Sequence, residues 1–443
     1  MKAEKDLKLF AKYASLNVIS MIGLSFYILA DTYYIAKGLG ENGLAALNLA
    51  IPAFSVVNGI GLMLGIGGAT RYAIQKALKK KKECSQIFMN MIVTALVISL
   101  FFVCLGIFFS KEISIFLGAD SHTLEMTDIY VKIMFLFAPA FIINDIVNAF
   151  VKNDGNPRLA MAAMLAGSIF NVIFDYIFIF PMNLGMMGAA LATGAAPGMG
   201  LLVLSFHFIR KKNSFSFCRP KYQFSILRKS APLGVPSLVT ELSNGIIIII
   251  FNILILGLAG NLGVAAYGII ANISLVMVSV FTGIAQGIQP VLSEAYGKGI
   301  ESRVRNVLRY GIITTLVLSA VLYVILFFKA DAVSMIFNRD ANMELQKMAV
   351  TGIRIYFAAM PFVGINIILA SYFASIEDKI PAQIISIARG FVLIIPFVFI
   401  LAKLGGLTGI WASFPFAEIV TTVIGIICCC VSRYHRKYER EGM

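Results

Sequence analysis

The chain has 443 residues, of which 59% are hydrophobic and only 14% are charged. Soluble globular proteins contain about 45–50% apolar and about 25% charged residues, so a soluble fold of this length could not cover its surface with polar groups. A soluble enzyme, a disordered protein and a disulfide-rich secreted domain are therefore excluded. The net charge of +14 comes from basic residues between apolar runs, where it indicates membrane topology rather than nucleic-acid binding.

Twelve apolar runs are long enough to cross a bilayer, whose hydrocarbon core requires about 20 helical residues. Runs such as IIIIIFNILILGL do not alternate as the strands of a β-barrel would. The sequence therefore predicts an all-α polytopic membrane protein with twelve transmembrane helices. The runs cover residues 12–36, 44–70, 87–109, 128–151, 158–181, 186–209, 230–257, 263–292, 307–328, 350–375, 380–402 and 407–431.

Lysine and arginine are unevenly distributed over the connections between these runs. The two termini and the even-numbered connections hold 28 of them, and the odd-numbered connections hold 6. Because connections rich in Lys and Arg stay in the cytoplasm, we expect both termini to be cytoplasmic. The expected location is the inner (cytoplasmic) membrane of the cell.

The two halves of the chain resemble each other. GLGENGLAALNLAI at 38–51 recurs as GLAGNLGVAAYGII at 257–270, and Asn144 matches Asn366, at an offset near 220–224. Six spans in each half give both halves the same orientation, which indicates two pseudo-two-fold related six-helix bundles of an alternating-access carrier. We expect an N-lobe over 1–212, a cytoplasmic linker over 213–229 and a C-lobe over 230–443.

Ionisable residues inside the spans are few, and their cost in lipid makes each of them a functional candidate. Asn171 precedes Asp175 by four residues, so both side chains share one face of span 5. Asp31 in span 1 offers a second carboxylate, and Thr193 in span 6 offers a hydroxyl. Oxygen ligands of this kind suit Na⁺ or a shared proton; the alternative is that Asp175 serves helix packing. The second-half position that matches Asp175 is Phe399, and the positions around Phe251 that match Asp31 carry no acid, so the acidic cluster is expected in the N-lobe alone.

The spans also contain Glu241, Glu418, Asp145, Arg354 and Arg389. Glu241 in span 7 either faces the cleft, where it would attract cationic substrates, or hydrogen-bonds to a neighbouring helix. Glu418 and Asp145 are interpreted as structural. Arg354 and Arg389 are expected to satisfy backbone carbonyls or to extend their charge to the membrane surface.

Several segments together resemble the MATE family, the multidrug and toxic compound extrusion transporters. They are LADTYYIAKGLGENGLAALNLA, NVIFDYIFIF followed by LGMMGAALAT, LGVPSLVTELSNG, GIAQGIQPVLSEAYGKG and LGGLTGIWASFPFAE. The resemblance spans nearly the whole chain, and bacterial DinF-like and related prokaryotic members are the most similar branch.

This resemblance implies a secondary active antiporter that exports cationic amphipathic compounds in exchange for H⁺ or Na⁺. In similar proteins an Asp of span 1, an Asn and an Asp of span 5 and a Thr of span 6 form the cation site, which falls on Asp31, Asn171, Asp175 and Thr193. Substrate contacts are expected at Glu241, Asp31 and Asp175. Because span 10 contains no acid, the N-lobe cation site is favoured over one in the C-lobe.

The alternatives are a lipid-linked precursor flippase of the same superfamily and an intramembrane enzyme. A flippase would often have extra spans and a strongly basic central cavity. A prenyltransferase-like enzyme would need Asp-rich motifs, which the sequence does not contain. We therefore expect no catalytic residues, no cofactor beyond the coupling ion, and a monomer whose partners are its small-molecule substrates and the lipid bilayer.

Overall fold

A computed structural model describes residues 2–219, 221–338 and 342–440 of the chain, and these residues form helices and their connections without any strand. The helices are α1 (Lys2–Ala77), α2 (Lys81–Phe108), α3 (Ser110–Phe116), α4 (Leu124–Leu136), α5 (Ala138–Asn153), α6 (Pro157–Ile179), α7 (Gly185–Ile209), α8 (Phe224–Gly297), α9 (Glu301–Phe328), α10 (Ala330–Phe337), α11 (Met343–Tyr356), α12 (Met360–Ser375), α13 (Lys379–Ile387) and α14 (Ile394–Arg440).

Nine helical segments of the described chain are long and apolar enough to cross a membrane, counting α4 and α5, which meet at 48°, as one. Three of the nine, α1, α8 and the continuous segment formed by α13 and α14, each contain a glycine with a left-handed backbone and therefore comprise two spans. These glycines are Gly40 (φ 70°), Gly260 (φ 61°) and Gly406 (φ 56°). The prediction of twelve transmembrane helices is confirmed.

Two spans are irregular in ways that the apolar runs did not indicate. Span 4 bends between α4 and α5, where Pro139 lies in the first turn of α5; proline is accommodated there because the first amides of a helix need no intrahelical acceptor. Span 11 contains a π-helical turn, Ala388–Val392, between α13 and α14. Such turns insert a residue into the helix and re-aim the side chains around it.

The backbone repeats between the two halves. Residues with a left-handed conformation recur 220 to 222 positions apart, as the pairs Gly40 and Gly260, Lys79 and Gly299, Gly155 and Glu377, and Gly185 and Gly406. Equivalent turns therefore connect equivalent helices. This confirms the expectation of two six-helix bundles related by a pseudo-two-fold axis.

Each bundle has its own apolar core. Phe88, Met91 and Phe150 are fully buried in the N-lobe core, and Phe281 and Trp411 are fully buried in the C-lobe core. The beginning of α1 is an exception, because its apolar side chains at positions 10, 13 and 14 belong to the C-lobe core. The first span thus connects the two bundles.

The bundles meet at the end of the membrane that carries the linker, which we call the linker end. A Cβ added at Gly287 of α8 would lie 2.7 Å from the Cα of Ala14, so the two helices touch without an intervening side chain. Nearby, Gln289 Nε2 donates to Thr70 Oγ1 at 2.9 Å and to Asn153 Oδ1 at 3.2 Å. This packing and the amide network close the linker end of the cleft between the bundles.

Candidate functional site

Two carboxylates are buried together inside the N-lobe. Asp31 lies in the first half of α1 and is 7% exposed, and Asp175 lies in α6 and is fully buried. The two side chains interact directly with each other. Among the residues that the structure describes, no hydrogen-bond donor reaches Oδ1 of Asp31 or either carboxyl oxygen of Asp175, and all three atoms are shielded from solvent. Buried carboxylates without donors are costly, so this site is suited to a positively charged ligand.

The amide and the hydroxyl predicted from the sequence lie beside these acids. Asn171, one turn before Asp175, donates from Nδ2 to Thr193 Oγ1 at 3.1 Å. Its Oδ1 is buried and has no donor. The structure therefore brings the four predicted residues to one place, and the atoms left without donors are all oxygens.

Two tyrosines belong to the same site and were missed in the sequence. Tyr130 of α4 is buried, interacts with Thr193 and is within electrostatic range of Asp31 and Asp175. Tyr27 precedes Asp31 by one helical turn and is within electrostatic range of the same acids. The spacing of Tyr27 and Asp31 is visible in the sequence, whereas nothing in the sequence places Tyr130 near them.

The chemistry available at this site is cation or proton binding. Carboxylate, amide and hydroxyl oxygens are ligands that hard cations accept, and two carboxyl groups in a low-dielectric interior can also share a proton. Within the described residues, no three His, Cys, Asp or Glu side chains converge as a transition-metal site would require.

A cavity of about 360 Å³ lies between the two bundles. Its wall combines charged and aromatic side chains, as is common for sites that bind organic molecules. Thr193 lies on its wall, whereas Asp31 and Asp175 are not among the residues that line it. The charged lining residues are Asp145, Lys152, Glu241, Arg389 and Glu418, and the aromatic ones are Tyr27, Phe54, Phe141, Tyr267, Tyr356 and Phe414.

Glu241 is the predicted substrate-binding residue that does line the cavity. It lies in the first half of α8 and interacts with the side-chain amide of Asn58 in the second half of α1. Both alternatives predicted for Glu241 therefore apply, because this residue faces the cleft and also contacts a neighbouring helix.

The C-lobe wall carries an acid that is already neutralised. Arg389 in the π-helical turn donates to Glu418 Oε1 from Nη2 at 2.9 Å and from Nε at 3.1 Å. Asn366 Nδ2 donates to Glu418 Oε2 at 2.7 Å. The expectation that Arg389 satisfies carbonyls or extends to the membrane surface is wrong, because the π-helical turn aims it at this carboxylate. Arg354 does bond to a backbone carbonyl, that of Phe327, at 3.3 Å.

At the linker end, both oxygens of the buried Asp154 carboxylate have hydrogen-bond or ion-pair partners. Asp154, just after α5, accepts hydrogen bonds from Tyr72 Oη at 2.5 Å, His207 Nε2 at 2.9 Å and the Ser214 amide at 2.7 Å, and it pairs with Lys76. Burial alone would raise the pKa of this carboxyl, but the donors outweigh burial and hold the pKa below its usual range. Asp154 therefore fastens the start of the linker to the N-lobe.

Comparison with known proteins gives a consistent family. The MatE family model matches residues 17–177 and 236–400. The multidrug export protein MepA of Staphylococcus saprophyticus subsp. saprophyticus is 28% identical over 405 residues, covering 90% of this chain and 88% of that protein.

Two solved structures show the same fold. A crystal structure of MATE in complex with MaL6 has a TM-score of 0.91 and 20% identity, covering 98% of this chain and 97% of that one. A structure of the MATE multidrug transporter DinF-BH has a TM-score of 0.88 and 24% identity, covering 96% of both chains.

Proposed function

The chain belongs to the MatE family, and from this premise we propose that it exports cationic amphipathic compounds in exchange for H⁺ or Na⁺ by alternating access. The observation that carries the proposal is the buried pair Asp31 and Asp175, where Oδ1 of Asp31 and both carboxyl oxygens of Asp175 have no donor from any described residue. Relatives named multidrug export proteins support the export of drugs. The coupling ion itself stays open between H⁺ and Na⁺.

The pair is placed to influence the cavity without lining it. Thr193 hydrogen-bonds to Asn171 beside the pair and also lies on the cavity wall. Tyr27 interacts with Asp31 and Asp175 and lines the cavity as well. A change of charge at the pair therefore changes the electrostatic environment of a bound substrate.

Coupling follows from a difference in affinity between two states. Binding of H⁺ or Na⁺ at Asp31 and Asp175 would remove negative charge from the N-lobe, bend the first half of α1 and lower the affinity of the cavity for a cationic compound. An ion can shift the equilibrium only by the difference of its affinities for the two states, and substrate and ion then oppose each other reciprocally.

The cavity wall fits a cationic, partly aromatic substrate. Three acids line it, and aromatic faces attract organic cations at distances within about 6 Å. Tyr356 and Phe414 present a stacked pair with ring centroids 4.3 Å apart. This lining supports exporter function over a flippase with a strongly basic cavity, since its basic residues are Lys152 and the paired Arg389.

The proposal also covers the membrane orientation and the oligomeric state of the protein. We propose that the protein lies in the cytoplasmic membrane as a monomer, with both termini and the linker end in the cytoplasm, as the distribution of Lys and Arg indicates. The closed linker end then corresponds to a state closed toward the cytoplasm.

The proposal is tested with purified protein in liposomes, by following ethidium transport under a Na⁺ gradient or a pH gradient imposed separately. We expect one of the two gradients to drive transport, and Asp31→Asn and Asp175→Asn each to abolish it, because a neutral side chain no longer requires the ion. Asp331→Asn, whose side chain is 65% exposed in an outer ion pair, is the control. Undiminished gradient-driven transport by both variants would remove these acids from the mechanism.

A further inference from the structure

Asp145 and Glu241 face the cavity from different bundles. Asp145 lies in α5 of the N-lobe, Glu241 lies in α8 of the C-lobe, and both line the cavity. The two carboxyl groups interact electrostatically. The second half of α1 touches both: a Cβ added at Gly61 would lie 2.5 Å from Asp145 Oδ2, and one added at Gly59 would lie 3.3 Å from Glu241 Cβ. Positions two apart point about 200° apart around a helix, so the missing side chains at Gly59 and Gly61 let α5 and α8 pack closely on either side of α1.

The hydrogen-bonding capacity at Asp145 is unfilled. Oδ2 of Asp145 and Oδ1 of the adjacent Asn144 are both shielded from solvent and have no donor within the described part of the chain, and both residues line the cavity. Native proteins rarely leave buried acceptors unsatisfied, and such atoms call for a ligand or partner. The acceptors here point to a ligand that brings positive charge or N–H groups.

No basic side chain neutralises these two acids. Among the described residues, the ion pairs do not include Asp145 or Glu241. Lys152 lies two turns further along α5, where its Nζ donates to Asn17 Oδ1 at 3.3 Å and Gln286 Oε1 at 3.4 Å. The third acid of the cavity, Glu418, by contrast has its own arginine. Among the described residues, Asp145 and Glu241 are therefore the acids of the cavity wall that lack a basic partner.

We propose that Asp145 and Glu241 together bind the positive charge of the substrate, with one carboxylate from each bundle. The inference rests on the proposed export function and gives Asp145, interpreted as structural in the sequence, a substrate-binding role. The ligand class is an organic cation with an aromatic body, because Phe54 and Phe141, in edge-to-face contact at 5.3 Å, line the same cavity. Two carboxylates in low dielectric strongly favour such a cation.

Because the two acids lie in different bundles, the affinity of this site for a cation depends on how the bundles are positioned. A cation held by both carboxylates experiences full attraction only while the bundles keep the two side chains close together. Movement of one bundle relative to the other separates the carboxylates and weakens binding, because Coulomb attraction falls with distance. The substrate site is therefore sensitive to the same motion that alternates access.

The test is equilibrium binding of rhodamine 6G to purified protein in detergent, measured by fluorescence polarisation. We expect Asp145→Asn and Glu241→Gln each to raise the Kd at least tenfold, and the double variant to weaken binding by less than the product, since both groups bind one charge. Asp145→Glu, which restores the charge, should recover part of the affinity. The zwitterionic dye rhodamine B, whose carboxylate would face the two acids, should bind more weakly to wild type and lose less affinity in Asp145→Asn.

A measurement on the unmodified chain covers the case in which Asp145→Asn does not fold. Carbodiimide labelling read by peptide mass spectrometry should show that rhodamine 6G protects Asp145 and Glu241, whereas Glu418 is unaffected. Wild-type affinity in Asp145→Asn, or labelling of Asp145 unchanged by dye, would overturn the inference while leaving the export function standing. If wild type neither bound nor exported organic cations, the proposed function itself would fail.

Discussion

The ion pair of Arg389 and Glu418 gives a prediction of stability that can be worked out from the structure. The side chains are 12% and 2% exposed, and Glu418 also accepts a hydrogen bond from Asn366. Removing one partner of a buried pair leaves an uncompensated charge and costs about 3–5 kcal/mol. Because Glu418 keeps its bond from Asn366 and lines a cavity, we expect the lower figure, about 3 kcal/mol, for Arg389→Met.

The assay uses the single tryptophan of the chain. Trp411 is 1% exposed in the C-lobe core and stacks with Tyr267 at 6.0 Å between ring centroids, so its fluorescence reports the unfolding of the bundle that holds the pair. Denaturant titrations of detergent-solubilised protein then give the free energy of unfolding. Arg389→Met combined with Glu418→Gln should recover about 2 kcal/mol, because the variant that lacks both charges buries no unpaired ion.

Arg354 provides the matched control. Its side chain is 43% exposed, and its contact with Asp331, which is 65% exposed, is 3.8 Å long. Because this pair is not buried, Arg354→Met should change the free energy of unfolding by less than about 1 kcal/mol. Equal effects of Arg389→Met and Arg354→Met would refute the reasoning, as would a double variant no more stable than Arg389→Met.

Two further predictions concern the linker end and the contact between the bundles. The pKa of Asp154 is held below its usual range by its donors, so its stabilising effect is complete above the unfolded-state value of about 3.9 and is lost as the pH falls through the folded-state pKa. The melting temperature of Asp154→Asn should therefore lie below that of wild type at pH 7, with a gap that narrows below about pH 4; a gap independent of pH would contradict this. Ser25 Oγ donates to Ser279 Oγ across the bundles at 2.7 Å, so in a cysteine-free background the pair Ser25→Cys and Ser279→Cys should form a disulfide. Oxidation should stop ethidium transport and reduction should restore it, whereas each single variant should transport under both conditions; continued transport by the oxidised double variant would show that the bundles need not separate there.

Much of the architecture could be predicted from local sequence. Apolar run lengths specify the spans because the bilayer sets the length of a spanning helix, and the spacing of Asn171 and Asp175 places both on one helical face. The turns at Gly40 and Gly260 repeat because the same non-helical backbone is needed at equivalent positions of both halves.

The pairings between distant helices could not be predicted in the same way. Arg389 and Glu418 are 29 positions apart on separate helices, and only the π-helical turn brings the guanidinium to the carboxylate. Asp145 shows no feature in the sequence that distinguishes a structural acid from one that faces a cavity. Its position depends on how α1 passes between α5 and α8, which is a property of packing rather than of local pattern.

The contrast between the two bundles offers a physical reason for coupling in one of them alone. At the offset of 222 that joins Asn144 to Asn366, Arg389 and Glu418 correspond to Gly167 and Ala196, so the C-lobe carries Glu418 together with a covalently attached cation that the N-lobe lacks. The N-lobe instead carries Asp31 and Asp175, which form no ion pair with a described residue, and three of their four carboxyl oxygens have no donor there. A built-in guanidinium cannot leave, whereas a bound proton or Na⁺ can exchange with either side of the membrane. Because a buried acid can couple transport to an ion only when its counter-ion is exchangeable, we propose that coupling occurs at Asp31 and Asp175 and not at the pair of Arg389 and Glu418.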